Sequence, residues 1–167
     1  VDNAEMVFVA YGIDAPEYGW NDYKDVDVKG KTIVMLVSDP PIRGKDSSGV
    51  ELDTAMFRGK AMTYYGRWTY KYEIAAKKGA VAAIVIQETG PGGYPFDVLS
   101  SGHEREAFDI KPADNNMSAV AVQSWMPEPR ARQLMSDAGE NFDSLKKAAL
   151  SKDFKPVPLK ATISFTL

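Results

Sequence analysis

Three continuous apolar runs organise the chain: Thr32–Val37 (TIVMLV), Ala80–Ile86 (AVAAIVI) and the shorter Ala119–Val122 (AVAV). A run without polar alternation predicts a strand covered on both faces. Ahead of them, Glu5–Ile13 (EMVFVAYGI) is β-branched and aromatic and reads as a further strand. The closing segment has a different rhythm. Leu159, Ala161, Ile163, Phe165 and Leu167 alternate with Lys160, Thr162, Ser164 and Thr166, the period of a half-buried strand. Both ends of the chain are therefore strand-like. They are expected to pair and emerge side by side, as in a domain inserted into another protein.

A helical period lies between the first two apolar runs. Trp68, Tyr72, Ala75, Ala76 and Gly79 fall at i, i+4, i+7, i+8 and i+11, which predicts a helix with Trp68 and Tyr72 facing the core. Glu73 and Lys77 are spaced for an i,i+4 pair, Lys77 and Lys78 suit the last turn, and Gly79 suits the C′ position. A second helix is predicted from about Glu128, with Pro129 at N1, Ala131, Leu134, Met135 and Ala138 on its apolar face, and Gly139 ending it. Asp143 is the expected cap of a short third helix carrying Leu145, Ala148 and Ala149. Residues 15–31 are rich in turn formers, with a tight turn at Lys29-Gly30-Lys31, and residues 38–51 read as a loop. Residues 87–118 show no clear period and read as a long functional or disordered loop. No repeat or second boundary appears, so residues 1–167 form one expected domain. Strand, helix and strand alternate in its middle, which by periodicity alone leaves a doubly wound α/β sheet open.

Composition narrows the function. A chain of 167 residues with 44% hydrophobic content can bury one real core. The net charge of −3 comes with no basic stripe, so no nucleic-acid partner is expected. Cysteine is absent, which removes disulfides and thiol chemistry. No apolar run reaches the roughly 18 residues of a membrane span. The chain opens at Val1 in mid-pattern without a signal peptide and reads as an excised piece or a mature chain.

The familiar catalytic patterns fail one by one. His103 is the single histidine, and Ala107 stands where H-E-x-x-H needs its second. No G-x-S-x-G is present, so His103 reads as an exposed loop residue rather than a triad base. Lys29–Thr32 (KGKT) imitates the end of a Walker A motif, but Asp25 replaces its first glycine and a strand follows. Asp25–Gly30 (DVDVKG) starts like an EF-hand, yet Leu36 occupies the twelfth position. Asp97, Glu104, Glu106 and Asp109 lie in the long loop and read as solvated carboxylates. One cluster stands apart: the nine residues Tyr64–Tyr72 hold five aromatics and Arg67.

Three stretches carry a resemblance: VFVAYGIDAPEYGWNDYKDVDVKGKTIVMLVSDP, GKAMTYYGRWTYKYEIAAKKGAVAAIVI and GYPFDVLSS, with DFKPVPLKATISFTL at the end. Together they resemble the protease-associated (PA) domain, of the type inserted in bacterial dizinc aminopeptidases related to glutamate carboxypeptidase and the transferrin receptor. The resemblance implies an α+β fold of the swivelling β/β/α type, a β-sandwich or open-barrel core with flanking helices. It implies a non-catalytic module that flanks or covers a peptidase cleft and shapes substrate access. Two zinc ions would sit in the parent peptidase domain and none in this chain. The parent domain and a peptide substrate are the implied partners, and the implied location is secreted or periplasmic. In the glutamate carboxypeptidase relatives, an arginine at this strand-to-helix junction reaches the substrate, and Arg67 matches it in context. The implied substrate-binding residues are Arg67 with Tyr64 and Tyr65, and Tyr94 as part of a cleft wall. Guanidinium suits this task because its planar fork binds carboxylates bidentately. A free-standing PA module for peptide or protein binding is the alternative, and an independent hydrolase is a third.

Overall fold

The apolar runs become neighbours. The computed structural model describes residues 1–44, 51–103, 106, 108 and 110–166. Its strands are β1 (Ala4–Phe8), β2 (Asp14–Ala15), β3 (Trp20–Asn21), β4 (Thr32–Leu36), β5 (Ala82–Gln87), β6 (Val122–Pro127) and β7 (Val157–Ile163). Five of them form one sheet in the order β6-β5-β4-β1-β7, and β2 and β3 form a separate ribbon. The β1–β4, β4–β5 and β5–β6 pairs are parallel, with Met6 opposite Thr32, Ile84 opposite Val34 and Ser124 opposite Ile84. β7 joins antiparallel to β1, with Glu5 opposite Thr162, and makes the sheet mixed. The class is α+β, as expected. Five of the seven described strands form this sheet, with β6 and β7 as its edges, and the other two form the β2–β3 ribbon.

The continuous apolar character of β4 and β5 follows from their central places, where every residue of both is buried. Each fully buried side chain such as Ile33, Leu36 or Ile86 contributes about 1.5–3 kcal/mol. β6 is an edge strand, and beyond buried Val122 its residues are only half covered or exposed. It runs later than the expected 119–122, because edge position tolerates the polar Gln123 and Ser124. β7 keeps the expected alternation around buried Leu159, with Ala161, Ile163 and Phe165 half-buried. A bulge opposite Met6 interrupts its register between Glu5 and Val7, and Lys160 there takes φ 48°. Leu167 lies outside the described residues, as do Glu104, Ala107, Asp109 and the 45–50 part of the expected loop. The expected exposure of His103 concerns a side chain that also lies outside them.

The helices are α1 (Trp68–Lys77), α2 (Thr89–Gly92), α3 (Phe96–His103), α4 (Glu128–Asp137) and α5 (Phe142–Ala148). Gly79 ends α1 as expected. Its N–H bonds the Ala76 carbonyl at 2.9 Å and the Ala80 N–H bonds Ala75 at 3.0 Å, a Schellman closure that needs the φ of 76°. Gly139 closes α4 in the same way, through Ser136 and Met135. Pro129 sits in the first turn of α4, one place after Glu128. The cap of α5 is Asn141, which accepts from the Ser144 N–H at 2.9 Å, and not Asp143. Asp143 instead takes a two-pronged bond from Arg132 of α4, at 2.9 and 2.8 Å. Two helices, α2 and α3, occupy part of the 87–118 stretch that reads as loop. They are short, and their glycines and proline hide any period. No described helix is long and apolar enough to cross a membrane.

Candidate functional site

The aromatic cluster divides when α1 forms. The helix buries Tyr70, Lys71, Tyr72, Ile74 and Ala75. Trp68 is its first residue and stays 51% exposed, so the expected core place for Trp68 is corrected. The buried face is centred on Lys71, Ile74 and Ala75, turned away from the stripe that residue types suggest. Tyr72 keeps its expected place. Its hydroxyl donates to the Ser124 carbonyl at 3.1 Å, and its ring meets that of Trp68 at 6.1 Å. Burial first, then Tyr94, pushes the Tyr72 hydroxyl pKa up. Trp68→Ala is therefore expected to cost about 1 kcal/mol, the scale of one partly exposed aromatic contact, and not the loss of a core anchor. Chemical denaturation of the variant checks this, and a loss of several kcal/mol would restore Trp68 to the core.

The junction before α1 is built with care. Tyr64–Gly66 form a 3-10 turn whose cap, Thr63, accepts from the Tyr65 N–H at 3.2 Å. Asp39, just beyond β4, grips that cap: its carboxylate takes the Thr63 N–H and the Thr63 hydroxyl, each at 2.7 Å. A Cβ on Gly66 would stand 2.8 Å from the Asp39 Oδ2 and 2.9 Å from its backbone nitrogen. Only glycine permits this approach. The Arg67 N–H then bonds the Tyr64 carbonyl at 3.1 Å, and the Arg67 carbonyl accepts the first turn of the helix from Lys71 at 3.3 Å.

Tyr64 and Tyr65 share a groove of about 390 Å³ with Asp14, Tyr70, Glu73 and Lys77. The Tyr64 hydroxyl donates to Glu73, and the Tyr65 hydroxyl donates to Glu17 at 2.6 Å. Those two bonds are the first cause of the raised pKa of each phenol. The Tyr70 ring packs edge-on against both, at 5.6 and 5.0 Å. Phe57, fully buried, and Tyr18 pack against Tyr65, and Trp20 packs against Phe57. Arg67 is exposed and its guanidinium meets no partner among the described residues. Neither Arg67 nor Tyr94 lines this groove. Tyr94 is half-buried beyond the end of β5, where its carbonyl accepts from Gln87 Nε2 at 2.7 Å. The structure thus brings Tyr64 and Tyr65 together, sets Arg67 beside them in sequence, and places Tyr94 elsewhere.

Behind the junction lie two buried charges. Lys71 is 0% exposed, and its ammonium donates to the Tyr11 carbonyl at 2.5 Å and the Ser38 carbonyl at 3.1 Å. Burial lowers its pKa to about 8, against the raising influence of Asp39 and Asp22. Asp22 is 1% exposed and accepts from the Ile13 N–H at 3.0 Å and from Trp20 Nε1 at 2.8 Å. Burial outweighs those bonds and raises its carboxyl to about 6. Sequence reading missed Lys71, Asp22, Asp39 and Gly66. A lysine or aspartate in an otherwise apolar turn carries no signal of its own burial, and the Asp39–Gly66 approach joins residues far apart in the chain.

The groove offers ring faces and bonded carboxylates, with no histidine, serine or cysteine in its lining. Its polar groups are the Tyr64 and Tyr65 hydroxyls, the Asp14 and Glu73 carboxylates and the Lys77 ammonium. Among the described residues no three His, Cys, Asp or Glu side chains gather as a metal-binding group. Comparison of the chain with protein-family models, curated proteins and solved structures returns no match.

Proposed function

We propose that this chain is a PA-type, non-catalytic accessory module of a zinc-dependent aminopeptidase, flanking the active-site cleft and contributing to substrate access and recognition. The observation that carries the reading is the pairing of the chain's ends. The Val1 nitrogen donates to the Phe165 carbonyl at 3.2 Å, and the Phe165 N–H donates to the Val1 carbonyl at 2.9 Å. A module that leaves and rejoins a host chain needs its ends side by side. The resemblance along the sequence supports the same reading, and the α+β class is compatible with it. The two zinc ions and the catalytic base then belong to the host's peptidase domain, and the location is secreted or periplasmic. Coding sequence on either side of the module tests the proposal. H-x-D and E-E motifs in those flanks are expected, and flanks without them overturn it.

Arg67 is the residue assigned to the substrate, with Tyr64 and Tyr65 as its flank and Tyr94 as a separate cleft element. Its exposed guanidinium, without a partner among the described residues, suits a substrate carboxylate or carbonyl. A hydrogen bond from a charged group contributes about 1.5–3 kcal/mol, so Arg67→Ala in the intact host should lower kcat/KM about ten- to a hundredfold. Arg67→Lys should recover only part of this, because the ammonium lacks the planar fork. Unchanged kinetics with full zinc occupancy would withdraw the assignment.

A further inference from the structure

β6 is the edge of the sheet opposite β7. Its pairing with β5 fixes where its backbone groups point. The Val122 N–H reaches the Val81 carbonyl at 3.3 Å, and the register sets Val122 opposite Ala82 and Ser124 opposite Ile84. In a parallel pair, every second residue turns both of its backbone groups to its neighbour. Val122, Ser124 and Met126 therefore serve β5, while the N–H and C=O of Gln123 and Trp125 point off the sheet. Among the described residues the Trp125 carbonyl takes one long contact, 3.5 Å from Ser124 Oγ, and no other partner meets these four groups. Gln123 is exposed and Trp125 half-buried.

This edge runs between two grooves. One, of about 1060 Å³, lies between α1 and residues 112–120 and is lined by Trp68, Tyr72, Met117 and Gln123. The other, of about 390 Å³, is lined by Ser124, Trp125 and Met126 of β6, by Arg130 and Leu134 of α4, and by Ile163 and Phe165 at the end of the chain. Gln123 lines the first groove, and Ser124, Trp125 and Met126 line the second.

We propose that the β6 edge takes an extended peptide as an added strand, its backbone bonded to Gln123 and Trp125 and its alternate side chains entering the two grooves. The chemistry of the edge names the occupant: outward donors and acceptors in strand spacing match another extended backbone. Trp68, Tyr72 and Met117 in one groove and Met126 and Leu134 in the other offer apolar contacts to alternate side chains, beside polar neighbours such as Glu73, Asn116 and Arg130. Pro127 has no N–H and ends the ladder, so the added strand is short. The inference deepens the peptide-recognition part of the function proposed above and rests on that part alone, not on a host peptidase.

The test is an amide-shift map of the ¹⁵N-labelled 167-residue chain titrated with a capped peptide of about six residues alternating valine and threonine. The largest shifts, and slowed hydrogen exchange, are expected at the Gln123 and Trp125 amides. The same peptide N-methylated at alternate residues should produce none. Gln123→Pro removes one outward donor without touching the β5 ladder and should weaken binding about two- to tenfold. If that variant does not fold, the native chain with the two peptides decides. Equal shifts with both peptides, shifts confined to Tyr64 and Tyr65, no shifts at millimolar peptide, or dimerisation through β6 in sedimentation would each overturn the proposal. Flanking sequence without peptidase motifs would remove the host reading and leave this result intact.

Discussion

Lys71→Ala is expected to destabilise the chain by about 3–5 kcal/mol, the cost of a large buried side chain lost together with two buried hydrogen bonds. Lys71 is 0% exposed, and its ammonium ties the Tyr11 carbonyl beyond β1 to the Ser38 carbonyl beyond β4. Alanine leaves a void and two carbonyls without this donor. Lys71→Met keeps most of the stem and should lose less, since only the hydrogen bonds go while a desolvated charge is relieved. The pH dependence separates these contributions. The folded lysine titrates at about 8 because burial disfavours its charge, against 10.5 for the ordinary side chain. Between those values the unfolded chain holds the proton and the folded chain does not, so this group makes stability rise with pH. Below about 8 both states are protonated and its contribution is constant. Urea unfolding of the native chain and Lys71→Met at pH 7, 8, 9 and 10 should show the native chain gaining on the variant across the last three. A difference that stays flat would mean that Lys71 is not a buried cation at neutral pH.

Gly66→Ala should cost about 2–4 kcal/mol, from overpacking and from strained hydrogen bonds at the junction. The added Cβ would lie 2.8 Å from a carboxylate oxygen of Asp39 and 2.9 Å from its backbone nitrogen. The backbone cannot rotate aside, so the Tyr64–Gly66 turn must move. Asp39 then loses its grip on the Thr63 N–H and hydroxyl, both now at 2.7 Å. The consequence is functional as well as energetic. Tyr64, Tyr65 and Arg67 all hang on this turn, so ligand binding at the groove should weaken more than stability alone explains. Asp39→Asn is the companion variant: it keeps the shape, cannot accept both bonds in the same way, and should show a smaller loss of the same kind. A Gly66→Ala chain of native stability would show that the junction adapts and that Asp39 does not position it.

The central strands were legible because burial on both faces leaves an unbroken apolar run, as in Thr32–Leu36 and Ala82–Ile86. Gly79 and Gly139 were legible because their backbone conformations, φ 76° and 82°, favour glycine. The half-buried alternation of the last strand survived even its bulge at Lys160. Trp68 was misplaced and Lys71 went unnoticed for one reason: residue type is a poor guide to burial here. A lysine whose donors reach two main-chain carbonyls can occupy the core, and a tryptophan in the first turn of a helix can face water. Asn141 outcompeted Asp143 as a cap because chain geometry, rather than residue type, selects which acceptor faces the Ser144 N–H. At the candidate site, Tyr64, Tyr65 and Arg67 stood out as a cluster in the sequence. Their supports, Asp39, Glu17 and Phe57, did not, because each reaches the cluster only through tertiary contact.

An aminopeptidase assay combined with elemental analysis of the purified, folded chain tests the central claim of a non-catalytic module most directly. The account predicts no tightly bound zinc and no peptide hydrolysis, with or without added zinc. Stoichiometric zinc together with turnover that a chelator abolishes would contradict it.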